Sequence, residues 1–331
     1  MKTELLKLLR CPLSGQFLNI ESVNNEFFNT EDGWLITNDG LHRYPIVLGV
    51  PRFVPQSNYS DNFGMQWNHF SRTQLDSYSG LPISSNRFWQ ATGWQPDKLN
   101  GQWVLDAGCG AGRFAEVALL AGAKVVALDY STAVDACYAN LRHHPNLHVV
   151  QGDIYSLPFA PESFSFVYSL GVLQHTPDVA KAFFALPPMV REGGHLCTDF
   201  YWKRLRTMLH AKYLFRPLTK RMHNAKLFEV LQFCVPTLLT LSQVLGKVPL
   251  LGCGLKRFVP VADYTGRYPL SDQQLIEWAL LDTFDMLAPT YDNPQSAATV
   301  QRWFEEAGLL DIEVGHWGHL VGRGKKKDEP S

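Results

Sequence analysis

The sequence predicts an α/β fold: a mostly parallel sheet with helices on both faces, a small β-rich module before it and a helical insert within it. Three observations carry that reading. From residue 101, short apolar runs alternate with stretches of helical periodicity, the grammar of a parallel sheet. The first run, Trp103–Ala107, opens into a glycine-rich turn, Gly108-Cys109-Gly110-Ala111-Gly112. An acid stands at the end of each of the first two runs, Asp106 and Asp129.

The elements follow in order. Residues 1–58 hold short apolar runs broken at Asn24-Asn25, Asp32-Gly33 and Asn38-Asp39-Gly40, and read as a β-rich module. Residues 59–100 are rich in aromatics, among them Phe63, Trp67, Phe70 and Phe88, and read as a helical lead-in. The core is expected over 101–199 and 266–324. Its strands are Trp103–Ala107, Lys124–Asp129, Leu147–Gln151, Phe164–Ser169 and His195–Phe200, the last entered through a turn at Gly193-Gly194. The helix after the glycine turn carries Phe114, Val117, Ala118 and Ala121 at helical spacing. Ser131 is expected to cap the next helix, and Thr176-Pro177-Asp178 reads as cap, proline and first-turn acid. Residues 200–265 break the alternation and read as an insert. Ser271-Asp-Gln-Gln274 is a capping-box pattern. A helix near 296–307 ends at Gly308, and 310–314 and 319–323 read as closing strands.

Composition narrows the function. A chain of 331 residues with 46% hydrophobic and 18% charged residues suits a globular core domain with additions. The net charge of -1 supplies no global field for nucleic acid. Six scattered cysteines without a C-x-x-C pair argue against a zinc site or disulfide framework. Free thiols and an N-terminus without the apolar core of a signal peptide lead to an expectation of a cytoplasmic protein.

Four features fall where an open α/β sheet takes a nucleotide-like ligand, at the carboxyl ends of its strands. They are Asp106 with Gly108, Gly110 and Gly112; Asp129, 21 residues past Gly108, with Tyr130 beside it; Gly152-Asp153-Ile154; and Leu170 to His175. A glycine turn alone fits a tight turn or a nicotinamide-dinucleotide site. The dinucleotide fingerprint, however, needs a third glycine at position 113, where Arg113 stands. The acid at Asp106 suits the amino group of a methionine moiety better than a pyrophosphate. Asp129 is expected to accept the ribose hydroxyls and Asp153 the adenine amino group. The expected cofactor is S-adenosylmethionine.

These motifs resemble those of the class I S-adenosylmethionine-dependent methyltransferases, in particular the small-molecule subgroup of the ubiquinone-biosynthesis enzymes. Leu105-Asp-Ala-Gly-Cys-Gly-Ala-Gly112, Gly152-Asp-Ile-Tyr-Ser-Leu-Pro158, Gly171-Val-Leu-Gln-His-Thr176 and Arg191-Glu-Gly-Gly194 match in order. The resemblance implies a seven-stranded Rossmann-like sheet with an antiparallel final strand and a lead-in covering the cofactor. It covers about half the chain and is silent on the acceptor.

Leu8-Leu-Arg-Cys-Pro-Leu-Ser14 with Tyr44-Pro-Ile-Val-Leu-Gly-Val-Pro51 resembles a small zinc-ribbon-like family that activates tRNA and release-factor methyltransferases. Ser14 replaces the second cysteine of the expected pair, so a metal-free module is expected. His175 is the candidate general base; the alternative is a ring that only holds its loop. Tyr264, Asp282, Asp285 and Tyr291 are further candidates for pocket polar groups. Residues 200–226 carry eight Lys or Arg and no acid, and 230–246 carry no charge. That pairing suits a lid over the pocket, a solvated helix face, or peripheral contact with a membrane and a lipid-linked acceptor. The expected activity is methyl transfer to a small-molecule, cell-envelope or natural-product acceptor. A tRNA or protein methyltransferase and a non-catalytic binding scaffold are the alternatives, and a homodimer is compatible with either.

Overall fold

The computed structural model describes residues 1–22, 32–55, 61–204 and 211–328. The expected turn at Asn24-Asn25 and the basic residue Arg206 lie outside them. Strands β1 (Leu18–Ser22), β2 (Gly33–Thr37), β3 (Arg43–Val47) and β4 (Val50–Pro51) form an antiparallel sheet in sequential order. Asp39 shapes the β2–β3 turn, because its Oδ1 accepts from the Thr37 hydroxyl at 2.6 Å and the Leu41 amide at 3.0 Å.

This module shares its core with the larger domain. Leu5, Leu9, Leu35 and Ile46 pack in one apolar cluster with Leu105, Val126, Val150 and Phe164. It also covers a sheet edge. The Phe53 amide donates to the Gln151 carbonyl at 2.8 Å, and Arg52 reaches Gln151 Oε1 at 3.0 Å and Asp135 at 2.5 Å. An open edge strand is a template for aggregation; here the chain's own N-terminal segment occupies it.

The main sheet has seven strands: β5 (Trp103–Ala107), β6 (Lys124–Asp129), β7 (Leu147–Gln151), β8 (Phe164–Ser169), β9 (Val190–Phe200), β10 (Leu310–Trp317) and β11 (His319–Lys325). Their order is β10-β11-β9-β8-β5-β6-β7. Only β11 is antiparallel, and it slots between β9 and β10. Every residue of β7 and β8 is buried, as expected for parallel strands covered on both faces. The fifth strand starts earlier than expected. Val190 pairs with Phe164 and His195 with Phe166, so the intervening residues bulge rather than turn. Gly193, at φ +68°, relieves the bulge.

Two expected caps shift. Asp178, not Thr176, caps the helix Val179–Phe184 by accepting from the Lys181 amide; the Thr176 hydroxyl is spent on the Leu173 carbonyl at 2.7 Å. Thr132 takes the N-cap position of the helix Ala133–Leu141, while Ser131 bonds to Asp129 and accepts from the Ala133 amide. The capping box at Ser271 forms.

The insert places helices at Lys212–Thr219 and Asn224–Gly246. The second is long and apolar enough to cross a membrane. One of its ridges, Leu227, Leu231, Val235 and Leu239, is buried against Leu281, Phe284 and Leu287 of the helix Asp272–Leu287. The insert and that returning helix therefore form a third cluster, set over the sheet's carboxyl edge.

Candidate active site

The carboxyl ends of β5, β6 and β8 open into a cavity of about 670 Å³, within the size range of sites for small organic ligands. Its floor is the glycine turn. The Gly108 and Cys109 amides both donate to the Leu128 carbonyl, at 2.7 and 2.9 Å, which ties the turn to the end of β6. The Gly110 amide donates to Asp129 Oδ2 at 2.9 Å. Gly110 has φ +51°, and a Cβ there would lie 3.3 Å from the Trp67 indole. A bare backbone under an aromatic cover is a cradle that a side chain would fill. Phe63, Trp67 and Phe70 of the lead-in all line the cavity.

Of the expected cofactor residues, Gly108, Gly110, Asp129, Tyr130, Ile154 and Leu170 line this cavity. The others do not. Gly112 faces the helix Ala133–Leu141, where a Cβ would meet Leu141 Cδ1 at 2.7 Å. Asp153 sits half-buried and uses Oδ1 to accept from the Tyr155 amide at 2.9 Å. Asp106 is 1% exposed, and among the described residues its Oδ2 and the neighbouring Tyr168 hydroxyl have no hydrogen-bond partner. Burial pushes the Asp106 pKa up to about 8. The expected fixed negative charge is thus a neutral acid near pH 7, poised to ionise when a cation approaches. Asp129 is more committed than expected. It accepts from Gly110, the Ser131 amide at 2.8 Å and the Ser131 hydroxyl at 2.7 Å, which uses most of a carboxylate's roughly four acceptor sites. Taking both ribose hydroxyls requires an internal bond to give way.

The far end of the cavity is polar in a different manner. Arg113 donates to Gln74 Oε1 at 2.6 Å and to the Ser84 hydroxyl at 3.2 Å. Gln74 in turn donates to Asp282 Oδ1 at 3.2 Å, and the Tyr264 hydroxyl donates to Asp282 Oδ2. Burial raises the Asp282 pKa to about 6, while burial and Arg87 lower that of Arg113 to about 10. Arg87 is held by Asp199 at 2.8 Å. Tyr201 donates to Asp285 at 3.3 Å. Tyr264, Asp282 and Asp285 all line the cavity, whereas Tyr291 serves through its backbone.

His175 lies at the cavity wall, 7% exposed, against the rings of Phe63 and Tyr201. Its Nδ1 is 3.1 Å from the Tyr291 carbonyl oxygen. A carbonyl only accepts, so Nδ1 carries a proton and, in the neutral ring, the lone pair is on Nε2. Nε2 is buried and has no partner among the described residues. Sequence reasoning missed Arg87, Gln74 and Tyr201, and registered Arg113 only as the residue that breaks the dinucleotide fingerprint. Long-range pairs such as Arg87–Asp199 leave no local signal.

Fold and site together define an α/β domain with a cavity at the carboxyl ends of its parallel strands, the place where such sheets take nucleotide-like ligands. Residues 105–198 match the family model described as a methyltransferase domain, so the chain carries a domain of the kind that uses S-adenosylmethionine. The demethylmenaquinone methyltransferase of Thermobifida fusca (strain YX) is 33% identical over 120 residues, 35% of this chain and 51% of that one. A ubiquinone biosynthesis O-methyltransferase of Pseudomonas putida (strain F1) is 30% identical over 137 residues, 39% of this chain and 59% of that one. The chain thus spans between half and three-fifths of the length of these curated relatives. A solved Methanococcus maripaludis structure, described as a putative S-adenosyl-L-methionine-dependent methyltransferase, aligns with 84% of this chain and 98% of its own. Its identity is 14% and its TM-score 0.45. The family match begins at residue 105 and leaves the N-terminal module outside it. The zinc-ribbon resemblance gains no support: no cluster of three His, Cys, Asp or Glu suited to a metal occurs among the described residues. Cys11 instead lies 3.1 Å from the Tyr44 hydroxyl.

Proposed function

We propose that the chain transfers a methyl group from S-adenosylmethionine to a hydroxyl of a small aromatic acceptor held in the same cavity. One observation carries the reading. A single cavity has a glycine cradle and Asp129 on one side, Arg113, Asp282 and Tyr264 on another, and His175 on its wall. The names of the relatives, which refer to quinone biosynthesis, support an aromatic acceptor.

Gly108, Gly110, Asp129 and Tyr130 are the residues that would hold the cofactor, with Asp106 beneath for its cationic end. When bound, S-adenosylmethionine supplies a methyl group already activated on sulfur. The chain's own work is alignment, exclusion of water and removal of a proton. Phe63, Trp67 and Phe70 close the cradle against solvent. Tyr264 and Asp282 orient the polar edge of the acceptor. His175 Nε2, buried beside the Phe63 and Tyr201 rings, accepts the hydroxyl proton once the acceptor has displaced them, and the Tyr291 carbonyl steadies the imidazolium that forms. The N-terminal module serves as a structural cover for β7. The five described cysteines are unbridged thiols, which supports a reducing, cytoplasmic setting.

The test is methylation of a panel of catechols and hydroxyquinols by the full chain with labelled cofactor. His175→Gln should lower kcat by about a hundredfold or more while cofactor affinity is unchanged. A wild-type chain that binds the cofactor but methylates none of these, or a variant as fast as wild type, contradicts the assignment.

A further inference from the structure

The helix Lys212–Thr219 is inside out. Its buried side carries Lys212, Arg216 and Thr219, each no more than 9% exposed. Lys212 pairs with Asp292 at 2.7 Å, Arg216 donates to the Met286 and Pro289 carbonyls, and the Thr219 hydroxyl to that of Leu287. The opposite side gives Leu214, Phe215 and Leu218 to solvent, at 77%, 45% and 69%. A helix at a protein surface normally turns its apolar stripe inward. Here the polar residues anchor the helix and the apolar ones are left over.

The next helix repeats the arrangement. With Leu227, Leu231, Val235 and Leu239 inward, helical spacing puts Val230, Phe233 and Val244 on the outer ridge, and all three are exposed. Leu250 and Phe258 follow in the connection to the core, also exposed. Among the described residues, eleven of the nineteen exposed large apolar side chains fall between 214 and 258. Scattered exposed apolar residues are ordinary, but a concentration of this kind marks an interaction surface.

Charge selects the occupant. From 200 to 262 the chain carries eleven Lys or Arg and one acid, Glu229. Lys203, Arg204, Lys220, Arg221, Lys226 and Lys247 are exposed. Two copies packed through this face would set cations against cations. An anionic lipid bilayer satisfies both features: acyl chains accept the leucines and phenylalanines, and headgroups accept the basic residues.

We propose that the insert docks the chain on an anionic bilayer, with helix 224–246 lying in the plane of the interface. It does not span, because its inward ridge belongs to the protein core. Arg204 and Arg257 of the same insert line the cavity, so docking brings the cavity to the lipid surface. The proposal stands without the methyl-transfer reading.

The test is flotation of the full chain with vesicles of phosphatidylcholine alone and of an equal mixture with phosphatidylglycerol. Wild type should float with the mixed vesicles and release as salt rises. The double variant Phe215→Glu/Leu218→Glu should bind about a hundredfold more weakly, since each side chain forfeits its burial. Charge reversal at Lys220→Glu/Arg221→Glu should weaken binding without touching the apolar face. Leu13→Glu, an exposed position far from the insert in sequence, should bind as wild type does. S-adenosylmethionine affinity and thermal unfolding should match wild type in all three variants. Wild type that stays with the soluble fraction overturns the proposal, as does unchanged flotation of both insert variants. A wild-type dimer in sedimentation that the Phe215→Glu/Leu218→Glu change dissociates would do so as well, by assigning the face to a second copy of this chain.

Discussion

Asp106→Asn should remove a steep component of the protein's pH-dependent stability. Asp106 is fully enclosed at the end of β5, its Oδ2 lacks a partner, and its pKa is raised to about 8 by burial, with Asp129 adding to the rise. In the unfolded chain the same carboxyl titrates near its ordinary value of 3.8. Below that value both states hold the proton and the group costs nothing. As pH rises toward about 8, the unfolded state ionises while the folded state keeps its proton, so stability is lost at about 1.4 kcal/mol per pH unit. Between about pH 5 and pH 7 the loss approaches 3 kcal/mol. Asparagine fits the same space and stays neutral throughout. Urea unfolding of both chains without cofactor, followed by tryptophan fluorescence at about pH 5, 6 and 7, isolates the difference, because all other groups titrate in both. The stability of the variant relative to wild type should rise by about 3 kcal/mol over this range. Parallel curves would refute the reasoning and mean that Asp106 ionises freely in the folded state.

Phe88 is fully buried against Trp89, Trp94, Phe114 and Tyr168, so Phe88→Ala should cost about 3–5 kcal/mol, read as a lowered denaturation midpoint. Arg52→Ala removes the side chain that fastens the N-terminal module to Gln151 and Asp135 over the β7 edge. It should cost about 1–2 kcal/mol, the smaller figure reflecting the half-exposed Asp135. Earlier proteolytic release of the module measures the loosening, and an unchanged digestion pattern counts against the edge-covering role.

The parallel core was legible because strands buried on both faces read as unbroken apolar runs. Trp103–Ala107, Lys124–Asp129, Leu147–Gln151 and Phe164–Ser169 occur with the expected bounds. The bulge before His195 was not legible, since two glycines serve a turn and a bulge equally well. Ser271 capped as read because Gln274 reciprocates, whereas the Thr176 hydroxyl found a closer acceptor. The glycine-turn side of the cavity was legible because Gly108, Gly110, Asp129, Ile154 and Leu170 sit in short contiguous motifs at strand ends. The other side depends on Arg113, Gln74, Asp282 and Tyr264, brought together from distant parts of the chain. Periodicity marks 212–219 as amphipathic but does not say which face turns inward. That was decided by the carbonyls at 286 and 289 and by Asp292, which recruit the cations, and by the carbonyl at 287, which takes the Thr219 hydroxyl.

The central claim is that the cradle at the end of β5 and β6 takes S-adenosylmethionine. Calorimetric titration of the cofactor and its demethylated product into wild type and Asp129→Ala tests it most directly. Saturable binding to wild type, weakened about ten- to a hundredfold by the substitution, is the predicted result. No binding by wild type, or equal affinity in the variant, contradicts the account.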